Sequence, residues 1–175
     1  MKLNYTLVST EEDIDTIKSF FFEIFPEESS YDLKDFRDSV SGNHDYMILK
    51  YWIVKNENNQ PIGFCGLEAD NNESCWLGWF GVRPMYRRRG CAKQMLNFLL
   101  DYTKNNGFKS CRVYTDKIVN IHAYNLYVNH GFYEDSQYKY DFVTMVKPLV
   151  SGYVPKRWEG VPLGFESEVP PNLCM

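Results

Sequence analysis

The run Val82-Arg83-Pro84-Met85-Tyr86-Arg87-Arg88-Arg89-Gly90-Cys91-Ala92 gathers three adjacent arginines, a glycine and a small residue where a strand gives way to a helix. A helix start presents backbone N–H groups with no intrahelical acceptor and the positive end of the helix dipole, a combination suited to phosphate. Gly90 permits a close backbone approach to a ligand, and Ala92 leaves the first turn uncrowded. Arg87 and Arg89, flanking Arg88, add charge-assisted hydrogen bonds, and a guanidinium can grip two phosphate oxygens at once. Chemically, residues 82–92 read as a cradle for a pyrophosphate.

About thirty residues on lies a second block, Asn120-x-x-Ala123-x-x-x-Tyr127-x-x-x-Gly131-Phe132. Taken with Arg87-x-x-Gly90-x-Ala92, it resembles the two sequence blocks of the GCN5-related N-acetyltransferase (GNAT) family. Val82 and Pro84 stand ahead of the arginines at the family's usual spacing. The resemblance spans roughly residues 74–134. It implies an α+β (mixed α/β) fold, a central twisted mixed β-sheet of about six to seven strands flanked by about four helices. It also implies acetyl-CoA as co-substrate and direct transfer of the acetyl group to a primary amine, of a small molecule or a peptide, in a ternary complex. A monomer or homodimer would suffice for this.

Such a reaction needs a bound acyl donor, a deprotonated nucleophile, oxyanion stabilisation and a proton for the departing thiolate. By resemblance, Arg87, Arg88, Arg89, Gly90, Cys91 and Ala92 hold the pyrophosphate. Backbone groups of Phe80 and Val82 meet the pantetheine arm and thioester, with a bulge expected at Gly81. Tyr127 matches the family's general acid. Asn120 would bond the pantetheine arm or simply cap its helix, and Asn125 would face the cofactor or solvent. Many members carry a glutamate six residues before the position of Val82. Here that position is Trp76, which cannot accept a proton. Glu68, Asp70 and Glu73 lie nearby and read as solvated surface carboxylates, so removal of the amine proton through ordered water is expected.

The elements that must position these groups follow from periodicity and turn chemistry. A strand at 5–8 precedes a helix from about Glu11 to Phe25, capped by Ser9 or Thr10, and a short helix at 31–40. Strands are expected at 46–54, 61–68 and 74–82, with turns at 56–60 and 70–72. Ala92, Met95, Leu96, Leu99 and Thr103 share one face of the next helix, which Asn106-Gly107 ends. A strand at 110–115, a helix at 121–129 with Gly131 left-handed behind it, and strands at 132–134 and 138–146 close the sheet. Residues 1–148 thus form the domain. The Pro-rich segment 149–175 is read as an ordered extension packed on it, with Tyr153, Trp158, Leu163 and Phe165 as anchors.

Composition narrows the alternatives. A net charge of −4 argues against a nucleic-acid binder despite the three arginines. No apolar run suggests a membrane partner or a targeting segment. Cys65, Cys75, Cys91, Cys111 and Cys174 are scattered and odd in number, as expected of a reduced cytoplasmic protein. His44, His122 and His130 lack metal-ligand spacing, and neither G-x-S-x-G nor a Walker motif occurs. Acidic residues outnumber basic ones between Glu11 and Asp38, including Glu23, Glu27, Glu28, Asp32 and Asp35. That segment could form a negative wall drawing in a cationic amine, or a solvated face. A catalytically weak CoA-binding sensor or interaction module is the rival reading to an enzyme.

Overall fold

The structure, a computed structural model, describes residues 1–138 and 140–164. Strand β1 (Asn4–Leu7) leads to helix α1 (Glu11–Ile24), a 3₁₀ turn (Pro26–Glu28) and helix α2 (Lys34–Ser41). Strands β2 (Ile48–Lys55), β3 (Pro61–Ala69), β4 (Ser74–Leu77) and β5 (Gly81–Val82) follow, then a 3₁₀ turn (Pro84–Tyr86) and helix α3 (Cys91–Asn105). Strand β6 (Ser110–Asp116), helix α4 (Ile121–Asn129), and strands β7 (Tyr133–Gln137) and β8 (Phe142–Pro148) complete the order.

Local chemistry sets these boundaries. The Thr10 hydroxyl accepts from the Asp13 N–H while the Asp13 carboxylate accepts from the Thr10 N–H, a reciprocal cap at the start of α1. The Asn56 side-chain oxygen accepts from the N–H groups of Asn58 and Gln60 and shapes the β2–β3 turn. Asn71 does the same for Glu73 and Ser74, turning β3 into β4.

One sheet runs in the order β1-β2-β3-β4-β6-β8-β7, with β5 as an eighth strand paired to β3. Among the described residues only β4 and β6 pair in parallel, joined by α3 as a crossover. One face carries α3 and α4 over Cys65, Leu67, Leu77 and Val113, with Met95, Leu96 and Leu99 of α3 buried against them. The other carries α1 and α2 over Tyr51, Ile53 and Phe64, through an aromatic cluster of Phe20, Phe21 and Phe36.

Three expectations shift. The strand expected at 74–82 is two strands, because residues 78–80 leave the sheet; this raises the count to eight. The short second helix begins at Lys34 rather than Tyr31, since Tyr31 is spent on a tertiary contact with Asp35 and Trp79. The last two strands begin later than their pattern suggested and are longer on β7.

On the α1/α2 face, residues 149–164 lie across β6 and β4. Arg112 on β6 pairs with Asp135 on β7 and donates from Nη2 to the Lys156 carbonyl at 2.6 Å. The Trp158 N–H donates to the same Asp135 carboxylate at 2.7 Å. Its ring meets Trp76 edge-on at 4.8 Å, with the Arg112 guanidinium 5.4 Å from the Trp158 ring centre. Farther on, the Tyr114 hydroxyl donates to the Gly164 carbonyl at 3.4 Å. Tyr153 stacks under Lys109. Leu163 is half-buried, and Phe165, the fourth expected anchor, lies outside the described residues.

Candidate active site

The break between β4 and β5 creates the site. Along β3, Leu67 and Phe64 pair with Leu77 and Gly81, so Cys65 and Gly66 face three residues, Gly78, Trp79 and Phe80. Three residues against two is a bulge. It falls at 78–80, not at the expected Gly81, which is an ordinary strand residue. Gly81 is needed for packing instead: a Cβ there would lie 2.4 Å from Ile24 Cγ2 of α1.

Strand β4 pairs with β6 only from Ser74 to Trp76. Beyond that point β5 stays with β3 while β6 continues with β8, so a gap opens between β5 and β6. The Arg83 N–H donates back to Ile62 O, and strand alternation therefore turns the backbone groups of Val82 toward the gap. There the Val82 carbonyl already accepts from Arg87 Nε at 2.9 Å. Phe80 sits in the bend at the mouth of the gap, half-buried.

The arginine cradle lies immediately beyond. Arg88 and Gly90 both adopt left-handed backbone, with φ of 61° and 77°. Gly90 is the cap of α3, which has no side-chain cap. A Cβ on Gly90 would meet no protein atom within 4 Å. The first-turn N–H groups and the space in front of them are therefore both open, as a phosphate would require. The exposed Arg89 guanidinium stands 5.7 Å over the Tyr86 ring. Cys91 is buried, its thiol on the Tyr86 carbonyl, so only its backbone faces outward.

Helix α4 borders the gap from the β6 side. The Asp116 carboxylate accepts from the N–H groups of Ile118 and Val119, and the Asn120 N–H donates to Asp116 O. The Asn120 side chain makes no cap bond to the helix and is exposed, so the capping alternative does not hold. Asn125 is exposed and Tyr127 is buried beside Phe132, which puts them on different sides of the helix. Burial, with Cys111 nearby, pushes the Tyr127 phenol above its usual value. It therefore holds its proton throughout the neutral range. His122, one turn earlier, is a surface residue.

The structure corrects the reading of Glu68. It is not a solvated carboxylate but 5% exposed, on the α1/α2 face, directly across from Trp76. Its Oε1 accepts from the Tyr51 hydroxyl at 2.7 Å. Burial drives the carboxyl up to about 7; the Tyr51 hydrogen bond pulls the other way, and Asp35 adds to the rise. Asp35 itself accepts from the Tyr31 hydroxyl and from Trp79 Nε1, at 2.6 and 2.9 Å. Among the described residues, Trp76 Nε1 is a buried donor without an acceptor. Glu73, by contrast, is a surface residue paired with Lys109, and Asp70 is exposed. A period-2 reading of residues 64–69, matched across the 70–73 turn, places Glu68 opposite Trp76 and is the signal that could have singled it out.

This buried carboxyl carries a stability prediction. Its folded value of about 7 lies above its ordinary 4.5, so the folded state holds the proton more tightly. Nothing is lost below pH 4.5; stability falls as pH rises to about 7, and the loss is complete above that. The gap between the two values corresponds to about 3 kcal/mol. Glu68→Gln removes the penalty and keeps an acceptor for Tyr51. Urea unfolding should find it about 2–3 kcal/mol more stable than wild type near pH 8 and equal to it near pH 4.

The acidic first helices are less of a free negative wall than their composition suggested. Asp32 pairs with Arg37, Asp38 with Lys34, and Glu23 grips Arg83 with both oxygens at 2.9 Å. Of this group, Asp35 is the residue whose charge reaches the Glu68 side of the sheet.

Residues 12–132 match the profile of the acetyltransferase (GNAT) family, which covers the gap, the cradle and α4. The chain belongs to that family. It is an acyltransferase, and acetyl-CoA is its co-substrate. Among solved structures, a GNAT-family acetyltransferase from Staphylococcus aureus Mu50 superposes with a TM-score of 0.67 at 21% identity, covering 85% of this chain and 100% of that one. The PaiA N-acetyltransferase from Thermoplasma acidophilum, solved with coenzyme A, gives 0.61 at 19%, covering 85% and 99%. The spermidine/spermine N-acetyltransferase SpeG from Vibrio cholerae gives 0.66 at 16%, covering 85% and 95%. No curated protein matches the chain in sequence.

Proposed function

We propose that this chain acetylates a primary amine on a small molecule, by direct attack of the amine on acetyl-CoA in a ternary complex. The carrying observation is the continuity of an open cradle at Arg88–Ala92 with the gap between β5 and β6, which leads from the Gly90 backbone to Phe80. Bound there, acetyl-CoA supplies an activated acyl carbon and a thiolate leaving group. Arg87, Arg89 and the backbone of Gly90, Cys91 and Ala92 hold its pyrophosphate; Arg88 contributes through its left-handed backbone. Phe80 and Val82 offer backbone groups to the pantetheine and the thioester carbonyl, and Asn120 flanks the arm, while Asn125, on the other side of α4 from Tyr127, takes its solvent-facing alternative. Tyr127 holds the proton that the thiolate needs.

The acceptor approaches from the α1/α2 face, where Asp35, Tyr31, Trp79 and Tyr51 surround the bend. A carboxylate among aromatic rings suits a cationic amine. The four described cysteines are free thiols, as suits the reducing cytoplasm. The test is thiol release from acetyl-CoA by the purified protein against polyamines, amino acids, amino sugars and short peptides. Amine-dependent release with a small amine supports the reading. Tight CoA binding without release from any of them would favour the sensor reading instead.

A further inference from the structure

Resting on that acetyl-transfer reading, we propose that Glu68 takes the proton of the acceptor amine, supplying from β3 the carboxylate that Trp76 does not supply on β4. Glu68 and Trp76 are direct cross-strand partners on one face of the sheet. Side chains of such a pair stand about 5 Å apart, so the carboxylate lies one strand over from the Trp76 position. It also lies at the active bend. A Cβ built on Gly78, the first residue of the bulge, would sit 2.8 Å from Glu68 Oε1 and 3.2 Å from the Tyr51 hydroxyl oxygen. The carboxylate therefore reaches the bend through a space that any side chain at 78 would fill. Phe80, at the gap, is two residues farther along the same bend.

The extension completes the enclosure. A Cβ on Gly164 would lie 2.2 Å from Glu68 Oε2, so this glycine backs directly onto the second oxygen. Tyr114 holds the Gly164 carbonyl from β6, and the Trp158–Arg112–Asp135 contacts hold the chain leading to it. The groups facing the carboxyl are Tyr51 from β2 and Asp35, with Tyr31 behind Tyr51 on the α2 side; Arg112 of β6 lies on the same face beyond Trp76, where it is paired with Asp135. Among the described residues no cation is paired with Glu68, and the nearby Arg112 is engaged by Asp135. An arriving ammonium would serve as its counterion.

The amine enters as an ammonium and gives one proton to Glu68, which passes it to water. The neutral nitrogen forms the N–C bond and the C–S bond breaks. Sulfur takes the Tyr127 proton, and the second proton leaving nitrogen restores Tyr127. One acetyl-CoA and one ammonium yield an amide, a thiol and one released proton.

The test is kcat/KM for the best acceptor from about pH 5 to 9 in the full chain, for wild type, Glu68→Gln and Tyr51→Phe. Wild type should lose activity below about pH 7. Glu68→Gln should fall roughly 10- to 100-fold near neutrality and lose that acid limb, with CoA affinity unchanged by titration. In Tyr51→Phe the limb should move to higher pH, because the lost hydrogen bond favoured the charged carboxylate. A limb belonging to the amine itself would not move. Full activity with the limb intact in Glu68→Gln, or an unmoved limb in Tyr51→Phe, overturns the proposal. Should Glu68→Gln not fold, the Tyr51→Phe profile decides. If wild type acetylates no amine, the acetyl-transfer reading itself has failed and this inference falls with it.

Discussion

Tyr127→Phe is expected to lower turnover roughly 10- to 1000-fold while acetyl-CoA still binds nearly as in wild type. The substitution keeps the ring that packs on Phe132 and removes only the hydroxyl. A phenol at its ordinary value of about 10 gives a proton to a thiolate of about 8.5 at a cost of roughly 2 kcal/mol. Burial raises the Tyr127 phenol further, so the transfer in the folded chain is more uphill than that. The donor is therefore firmly protonated at neutral pH but reluctant, and sulfur must carry substantial charge before it takes the proton. Single-turnover and steady-state rates on one acceptor, with CoA affinity by titration calorimetry, check the prediction. Turnover near wild type would make Tyr127 a core residue and send the search for the donor elsewhere.

Gly90→Val should weaken CoA binding at least about 100-fold, or about 2.7 kcal/mol. The new side chain occupies the open space in front of the α3 N–H groups, and at φ 77° a β-branched residue also strains the loop. Strain alone costs about 1–2 kcal/mol of stability. Gly107→Val separates the two effects. Gly107 has φ of 85° and no atom within 4 Å of its would-be Cβ, but sits past the opposite end of α3. It should lose similar stability and keep wild-type CoA affinity. Equal losses of affinity in both variants would assign the effect to α3 as a whole and remove Gly90 from the cradle.

Much of the fold could be read from neighbours in sequence, because its causes are local. Thr10 and Asp13 cap α1 across three residues, and the Met95–Leu96–Leu99 face repeats at helical spacing. Asn56 and Asn71 turn their hairpins by bonding residues two to four positions away. The cradle is legible for the same reason: Arg87, Gly90 and a helix start are contiguous, and the left-handed backbone that Gly90 adopts is what glycine is suited to. Helix α4 and the left-handed Gly131 behind it likewise follow from their own residues.

What depended on residues distant in sequence came only with the tertiary structure. The bulge lies at Gly78–Phe80 because β3 has two residues there against three, a count that no single strand contains. Asn120 leaves its helix uncapped because the Asp116 turn already fixes the loop. Trp158 finds Trp76, and Arg112 finds Asp135, across gaps of tens of residues. Glu68 shows the distinction most sharply. By type, a glutamate near a turn belongs in water. Its burial comes from Tyr51 on one neighbouring strand, the glycine at 78 in the bend that follows β4, and Gly164 nearly a hundred residues away. A side chain's solvation, and with it its proton affinity, is set by everything packed around it, and the sequence alone carries that information only through the completed fold.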